Sequence, residues 1–233
     1  MKKTSLFICL MVAFAALNAV AQESRYVMKF DDFNELKIFD GVNVDYVCDP
    51  SRAGEVEFYA PKELVSVFIF ESSKTKLSIK LASSDTPLIN LPKLTAYSSY
   101  LTNVTNDGDS LVRVLSVARG PKFSCRVTGN GRLSVRDVQA NEVNATVLAG
   151  KGVISIYGEC KVANLKVAGA GEIQADELKA TDVSCASAGV GSIHCYPVGM
   201  LSVGGLSGKI YYRGTPEIKK RFLSNVKLLP IDR

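Results

Sequence analysis

Four Gly-x-Gly steps recur at almost one fixed spacing in the second half of the chain. They are Gly129-Asn130-Gly131, Gly150-Lys151-Gly152, Gly169-Ala170-Gly171 and Gly189-Val190-Gly191, and their second glycines lie 21, 19 and 20 residues apart. A degenerate fifth copy is Leu206-Ser207-Gly208. Self-similarity at a fixed period near twenty predicts a stacked architecture with one supersecondary unit per repeat. Gly-x-Gly also occurs in phosphate-cradling loops, but those need a helix after the glycines. Here an alternating, strand-like run follows each step, so the glycines are read as corners. A sharp bend asks for positive φ, and a side chain there would collide with the neighbouring turn.

The composition around these corners is that of strands. Val, Ile, Thr and Tyr form short alternating runs punctuated by Gly, Asn and Asp. Aligned on the first glycine of each step, the preceding columns read Phe123, Cys125, Val127; then Asn144, Thr146, Leu148; then Ala163, Leu165, Val167; then Val183, Cys185, Ser187. The following columns read Leu133, Ile154, Ile173, Ile193 and Val135, Ile156, Ala175, Cys195. These period-two columns predict inward-facing residues. The fold expected is all-β: a right-handed parallel β-helix-like solenoid with rungs of about 20 residues. Four to five rungs at about 4.8 Å each give a stack of about 20–25 Å. Residues 22–92, with Gly41–Cys48, Glu55–Tyr59, Leu64–Phe70 and Lys76–Leu81, are read as an N-terminal β-hairpin and cap region. Residues 93–233 are read as the repeat solenoid, with the boundary in the Pro- and Ser-containing stretch from Ala82 to Pro92.

The first 21 residues read as a secretory signal peptide. Lys2 and Lys3 precede an apolar run from Leu6 to Leu17, and Ala19-Val20-Ala21 predicts cleavage before Gln22. No later stretch is long and apolar enough to read as a transmembrane helix. The expected location is periplasmic, outer-surface or secreted. Loss of the leader lowers the formal charge from +5 to +3, with 26 basic and 23 acidic residues left. That balance gives no reason to expect a nucleic-acid partner. The basic run Lys219-Lys220-Arg221 reads as a solvated face, with docking to an anionic surface as its alternative.

Together these features resemble the putative auto-transporter adhesin, head GIN domain family of exported Bacteroidetes proteins. The resemblance rests on Phe33-Asn34-Glu35-Leu36-Lys37-Ile38 leading into Gly41-Val42-Asn43-Val44, on Leu77-Ser78-Ile79, on the glycine repeats, and on Gly208 through Pro216. It covers about residues 30 to 230. It implies a β-helix-like fold, a cell-envelope location and no established activity. The family's usual Ser-Gly-Ser-Gly steps are replaced here by Thr-Gly-Asn-Gly and Ala-Gly-Lys-Gly.

Chemistry is sparse. No catalytic residue, metal ligand or cofactor is expected. Cys125 and Cys185 share a column but stand three rungs apart, about 14 Å by the strand spacing. Cys185 and Cys195 are half a rung apart and expected on different faces. No disulfide is therefore expected, and Cys48, Cys125, Cys185 and Cys195 read as small buried hydrophobes. A β-helix enzyme acting on polysaccharide would need two acids, or an acid and a base, on neighbouring rungs of one face. Glu172 has Val153 and Ser192 at its equivalent positions; Asp137, Glu159, Asp176 and Glu177 form a better turn cluster. Binding is the alternative favoured. Tyr211, Tyr212 and Arg213, with Tyr196, form either an aromatic ledge that stacks on sugars or a cap over the last turn. Asp109-Ser110-Leu111 matches an O-glycosylation pattern at Ser110. The expected protein is an envelope interaction module whose partner is a cell-surface glycan or an envelope protein. A polysaccharide lyase or hydrolase is the first alternative, and a purely structural envelope protein the second.

Overall fold

The computed structural model of the chain describes residues 23–83, 90–221 and 224–231. The leader read over residues 1–21 and the middle of the Ala82–Pro92 stretch lie outside them. The repeat builds β10 (Gly120–Thr128), β11 (Arg132–Leu148), β12 (Val153–Gly169), β13 (Glu172–Gly189) and β14 (Ser192–Gly205). Each pairs in parallel with the next. Rungs of roughly 20 residues stack into a β-solenoid of about six turns.

The stack is longer than the repeat alone because the N-terminal third joins it. β2 (Glu35–Phe39) lies between β6 (Lys76–Leu81) and β8 (Asn103–Asp107), parallel to both. β3 (Val44–Cys48) lies likewise between β7 (Leu94–Ser98) and β9 (Leu111–Val114). The chain thus lays its second turn beneath its first before climbing. Strand pairing runs across the expected division at residue 92, so residues 35–48 and 76–81 are coils of the solenoid and not a separate hairpin region. The expected antiparallel hairpins are present as its cap. β1 (Ser24–Lys29) pairs with β4 (Glu55–Ala60), and β5 (Phe68–Ser73) with β6. Phe58, Phe68 and Phe70 pack ring to ring under Tyr26 and Phe30, covering the open end of the turn that β6 and β7 form.

The cap also carries a charged cluster. Arg25 and Arg52 both donate to Glu57, and Arg52 donates to Glu55 at 2.9 Å. The hydrogen bond from Arg25, reinforced by Arg52, pushes the Glu57 carboxyl down to about 2. A depressed carboxyl contributes stability that is complete above its unfolded pKa, about 4.3, and is lost as pH falls through the folded value. Lowering the pH from 5 to 2 is therefore expected to loosen β1 from β4. Hydrogen exchange should show the Tyr26 and Phe58 amides, which face each other across β1 and β4, losing protection before Ile154; simultaneous loss would refute the assignment.

Inside the solenoid the columns are one residue thick and almost wholly apolar. Phe123, Val143, Ala163 and Val183 stack, as do Cys125, Ala145, Leu165 and Cys185, all buried. On the opposing strands Leu133, Ile154, Ile173 and Ile193 stack at 0–1 % exposure. One rung corrects the sequence alignment. The expected inward residues Asn144, Thr146 and Leu148 face out, and Val143, Ala145 and Val147 face in. The cause is an extra residue at the second corner. Ala149 pairs in register where Gly129 and Gly169 stand, and Gly150 follows it. A one-residue slip exchanges every side chain between faces, and this insertion also explains the spacings of 21 and 19.

The two glycines of a step have different duties. Gly129, Gly150, Gly169 and Gly189 have positive φ, as does Gly208 in the degenerate step. Gly131, Gly152, Gly171 and Gly191 do not; they are held to glycine by space, because a Cβ would fall within about 2.2–2.6 Å of a neighbouring rung. Ala149 adopts φ 63°, a left-handed conformation that costs an L-residue roughly 1–2 kcal/mol. Ala149→Gly is expected to raise stability by about 1 kcal/mol, or roughly 2–4 °C in Tm for a chain of this size. A Tm unchanged or lowered on calorimetry would show that the corner is not strained.

Candidate interaction surface

The outward residues form two polar ladders, one on each strand that flanks the glycine corner. On the strand after the corner, Asp45, Arg113, Ser134, Ser155, Gln174, His194 and Tyr211 follow each other rung by rung. Arg113 grips Asp45 with two hydrogen bonds of 2.7 and 2.6 Å, and Lys93 approaches at 2.8 Å. Burial alone would raise the Asp45 carboxyl, but Arg113 and Lys93 outweigh it and hold it below its ordinary value. Further up, Ser155 Oγ donates to Gln174 Oε1 at 2.7 Å, and Gln174 Nε2 donates to Glu172 at 3.2 Å. His194 Nε2 lies 3.3 Å from Glu172 Oε1. Tyr211 stacks on the His194 ring with centroids 4.5 Å apart and planes 18° from parallel.

This constellation was not visible in the column reading. Val153 and Ser192 do flank Glu172 in its own column. The contact with His194 is diagonal, between adjacent columns, and only the rung geometry shows it. The turn acids are not brought together. Glu159 stands between Gln139 and Lys179, and Glu177 stands opposite Tyr157. The register pairs no two of Asp137, Glu159, Asp176 and Glu177.

The proposed aromatic ledge is divided. Arg213 lies over the Tyr196 ring at 4.8 Å, and Tyr211 belongs to the outer ladder with His194. Tyr212 is in the inward register, next to Cys195 and Pro230, and packs against the core. It closes the terminal turn with β15 (Lys209–Tyr212) and β17 (Lys227–Pro230). Ser110 is corrected more strongly: it is buried, and its hydroxyl donates to Asn106 Oδ1 at 2.9 Å. The folded chain does not present it for modification.

Among the described residues the cysteines are free thiols, at positions 48, 125, 160, 185 and 195. Cys125 and Cys185 stand three rungs apart, as the columns imply. Cys185 and Cys195, however, are not kept apart by lying on different strands. Both project into the narrow core, and their sulfurs are 3.9 Å from each other. The hydrogen bond that Cys185 donates to Cys195, together with burial, raises the Cys185 thiol, and burial pushes Cys125 and Cys160 up to about 12. None of these three is set up as a nucleophile at neutral pH.

On the strand before the corner the ladder is longer. It crosses β6, β2, β8, β10 and the final segments of β11 to β14, and ends on β16 (Glu217–Lys220). Its central row is Asn103, Ser124, Asn144, Asn164, Ser184 and Ser202. Asn164 Nδ2 donates to Asn144 Oδ1 at 2.9 Å, so the amides bond along the stack. The adjacent row carries Lys37, Arg126 and Lys166, with Arg221 at its upper end.

A solenoid whose outer strands display unbroken polar ladders belongs to the class of β-solenoid proteins that present extended surfaces. Residues 32–216 match the model of the putative auto-transporter adhesin, head GIN domain, and the chain belongs to that family. The fold is shared with solved structures of low identity. A putative adhesin from Bacteroides fragilis superposes with a TM-score of 0.79 at 20% identity, covering 90% of this chain and 97% of that one. A putative lipid binding protein from Parabacteroides distasonis gives 0.70 at 20% identity, covering 91% and 97%. A putative adhesin from Parabacteroides distasonis gives 0.72 at 18%, covering 90% and 97%. No curated protein matches the sequence. Among the described residues no helix is long and apolar enough to cross a membrane.

Proposed function

We propose that the protein is an exported, non-catalytic interaction module of the cell envelope that binds surface glycan or protein along its outer ladders. The observation that carries this reading is the row of hydroxyl and amide side chains continued over six strands, β8, β10 and the final segments of β11 to β14, which charged residues extend to β6 and β16. At about 4.8 Å per rung that row spans roughly 24 Å, a length suited to an extended ligand and not to a small substrate. Family membership and the adhesin names of the structural neighbours support it, as does the leader sequence. Tyr196, Tyr211 and Arg213 remain with this reading as ring-bearing contacts; Tyr212 belongs to the cap.

Purified mature protein should retain glycans or envelope proteins on an array without shortening any polymer. The enzyme alternative would be established if a polysaccharide were depolymerised and the activity vanished with Asp176→Asn or Glu177→Gln.

A further inference from the structure

Near its upper end the surface of the nine-strand ladder sinks, and its charge there is uncompensated. A depression of about 380 Å³ lies between Lys166 and Arg221, floored by Asn144, Thr146, Asn164 and Ser184. It exists because the cation row changes to small residues: Ala186 follows Lys166, and Gly204 follows Ala186. Arg221 fills part of that gap lengthwise. Its backbone N–H is fixed to Val203 O at 2.8 Å, and its stem lies over Gly204, where a Cβ would meet Arg221 Cδ at 2.9 Å. The guanidinium thereby points back down the stack, with Nη2 at 3.4 Å from Ser184 Oγ, towards Lys166.

The charges there are one-sided. Among the described residues neither Lys166 nor Arg221 forms an ion pair, and no carboxylate lines the depression. Glu142, the acid beside Asn144, is occupied by Lys122 at 2.9 Å and by the Asn144 amide at 2.8 Å. Arg126 extends the same row two rungs below Lys166, about 10 Å away at the strand spacing. Parallel to these cations runs the Asn/Ser row, one hydrogen-bonding group per rung. These groups recur about every 4.8 Å, a regular spacing that suits a repeating polymer.

Resting on the binding-module reading, we infer that this face holds a carboxylate-bearing polysaccharide, a uronic acid polymer laid along the solenoid axis. Lys166 and Arg221 take its carboxylates at the depression, and the Asn144–Asn164–Ser184 row takes its hydroxyls. Guanidinium and ammonium donors bind carboxylate through charge-assisted hydrogen bonds, while amides and hydroxyls supply both donors and acceptors to sugar. Charge complementarity selects the occupant: a neutral glycan would leave both cations unmatched, and a cationic surface would be repelled.

The test uses the whole mature chain, a hexameric oligouronate, its carboxyl-reduced neutral counterpart, and vesicles containing a third anionic phospholipid. Calorimetric titration at 0.15 M salt should show binding to the oligouronate only. Lys166→Ala/Arg221→Ala should weaken it at least tenfold, and Lys166→Glu should do so as well. Lys29→Ala, which removes a paired cation on the N-terminal cap, away from the depression, should change it less than twofold. Both altered side chains of the double variant point outward, so its Tm should stay within about 2 °C of the parent, which separates lost contacts from lost fold. Equal affinity for the neutral oligomer, unchanged affinity in both Lys166 variants, or equal binding to the vesicles would each overturn the inference. If a neutral glycan or a protein is retained and the oligouronate is not, this assignment fails while the module reading stands; retention of nothing at all defeats both.

Discussion

Gly171→Val is expected to destabilise the solenoid by about 3–5 kcal/mol and to lower Tm by roughly 10 °C or more. A Cβ at this position would come within 2.5 Å of Val147 Cγ1 and 2.6 Å of Gly152 O. Neither neighbour can give way cheaply. Val147 is fully buried in the inner column, and Gly152 O accepts the Glu172 amide at 2.9 Å, a bond that holds one rung to the next. Moving that carbonyl would break the ladder at its corner, and valine adds two further methyl groups to the overlap. Gly41 supplies the comparison, since a Cβ there meets nothing within 4 Å. Gly41→Ala should therefore be almost neutral. A Gly171→Val protein that melts within 2 °C of the parent would show that the corners are looser than the geometry requires.

The second large effect is expected at a polar residue inside the core. Asn106 is wholly buried, in the inner column between Ile38 and Val127. Its Nδ2 donates to Ser110 O at 2.8 Å and Arg132 O at 3.0 Å, and its Oδ1 accepts from Ser110 Oγ. The amide thus bridges the corner between β9 and β11. Asn106→Ala removes three hydrogen bonds, each worth about 0.5–1.5 kcal/mol, and leaves the Ser110 hydroxyl without its acceptor, while Ser110 O keeps the Arg132 amide at 2.8 Å. A net loss of about 3 kcal/mol is expected by chemical denaturation. Ser110→Ala, which removes one of the three bonds, should cost about 1 kcal/mol. Similar values for the two variants would mean that the Asn106 bonds to the two backbone carbonyls contribute nothing beyond the hydroxyl.

Asn106 shows where sequence patterning stops. Val104 and Asn106 share the inward phase of β8, yet an asparagine beside Asp107 and Gly108 reads as the start of a turn. Phase alone cannot indicate that a buried amide will find three partners, because those partners are backbone groups of other rungs. Ser110 is misread for the same reason: its local pattern suits modification, and only the packing of the corner encloses it. Cys185 and Cys195 illustrate the converse case. Their ten-residue separation places them on different strands, and only the thinness of the core brings their sulfurs together across it.

The sequence by itself determined the architecture: period-twenty glycines, alternating apolar columns and parallel stacking follow from side-chain period and corner sterics, which are local properties repeated down the chain. It also contained the slip at Ala149, visible as spacings of 21 and 19, although placing the insertion needed the pairing. What only the tertiary structure decided is how rungs are combined. Residues 35–48 insert between 76–98 and 103–114, an order no local pattern encodes, because parallel strands are satisfied by any neighbour of matching register. The surface was decided in the same way. Lys166, Arg221, Asn144 and Asn164 are scattered across nearly 80 positions, and they become one site because each rung places its outward side chains about 4.8 Å above those of the last.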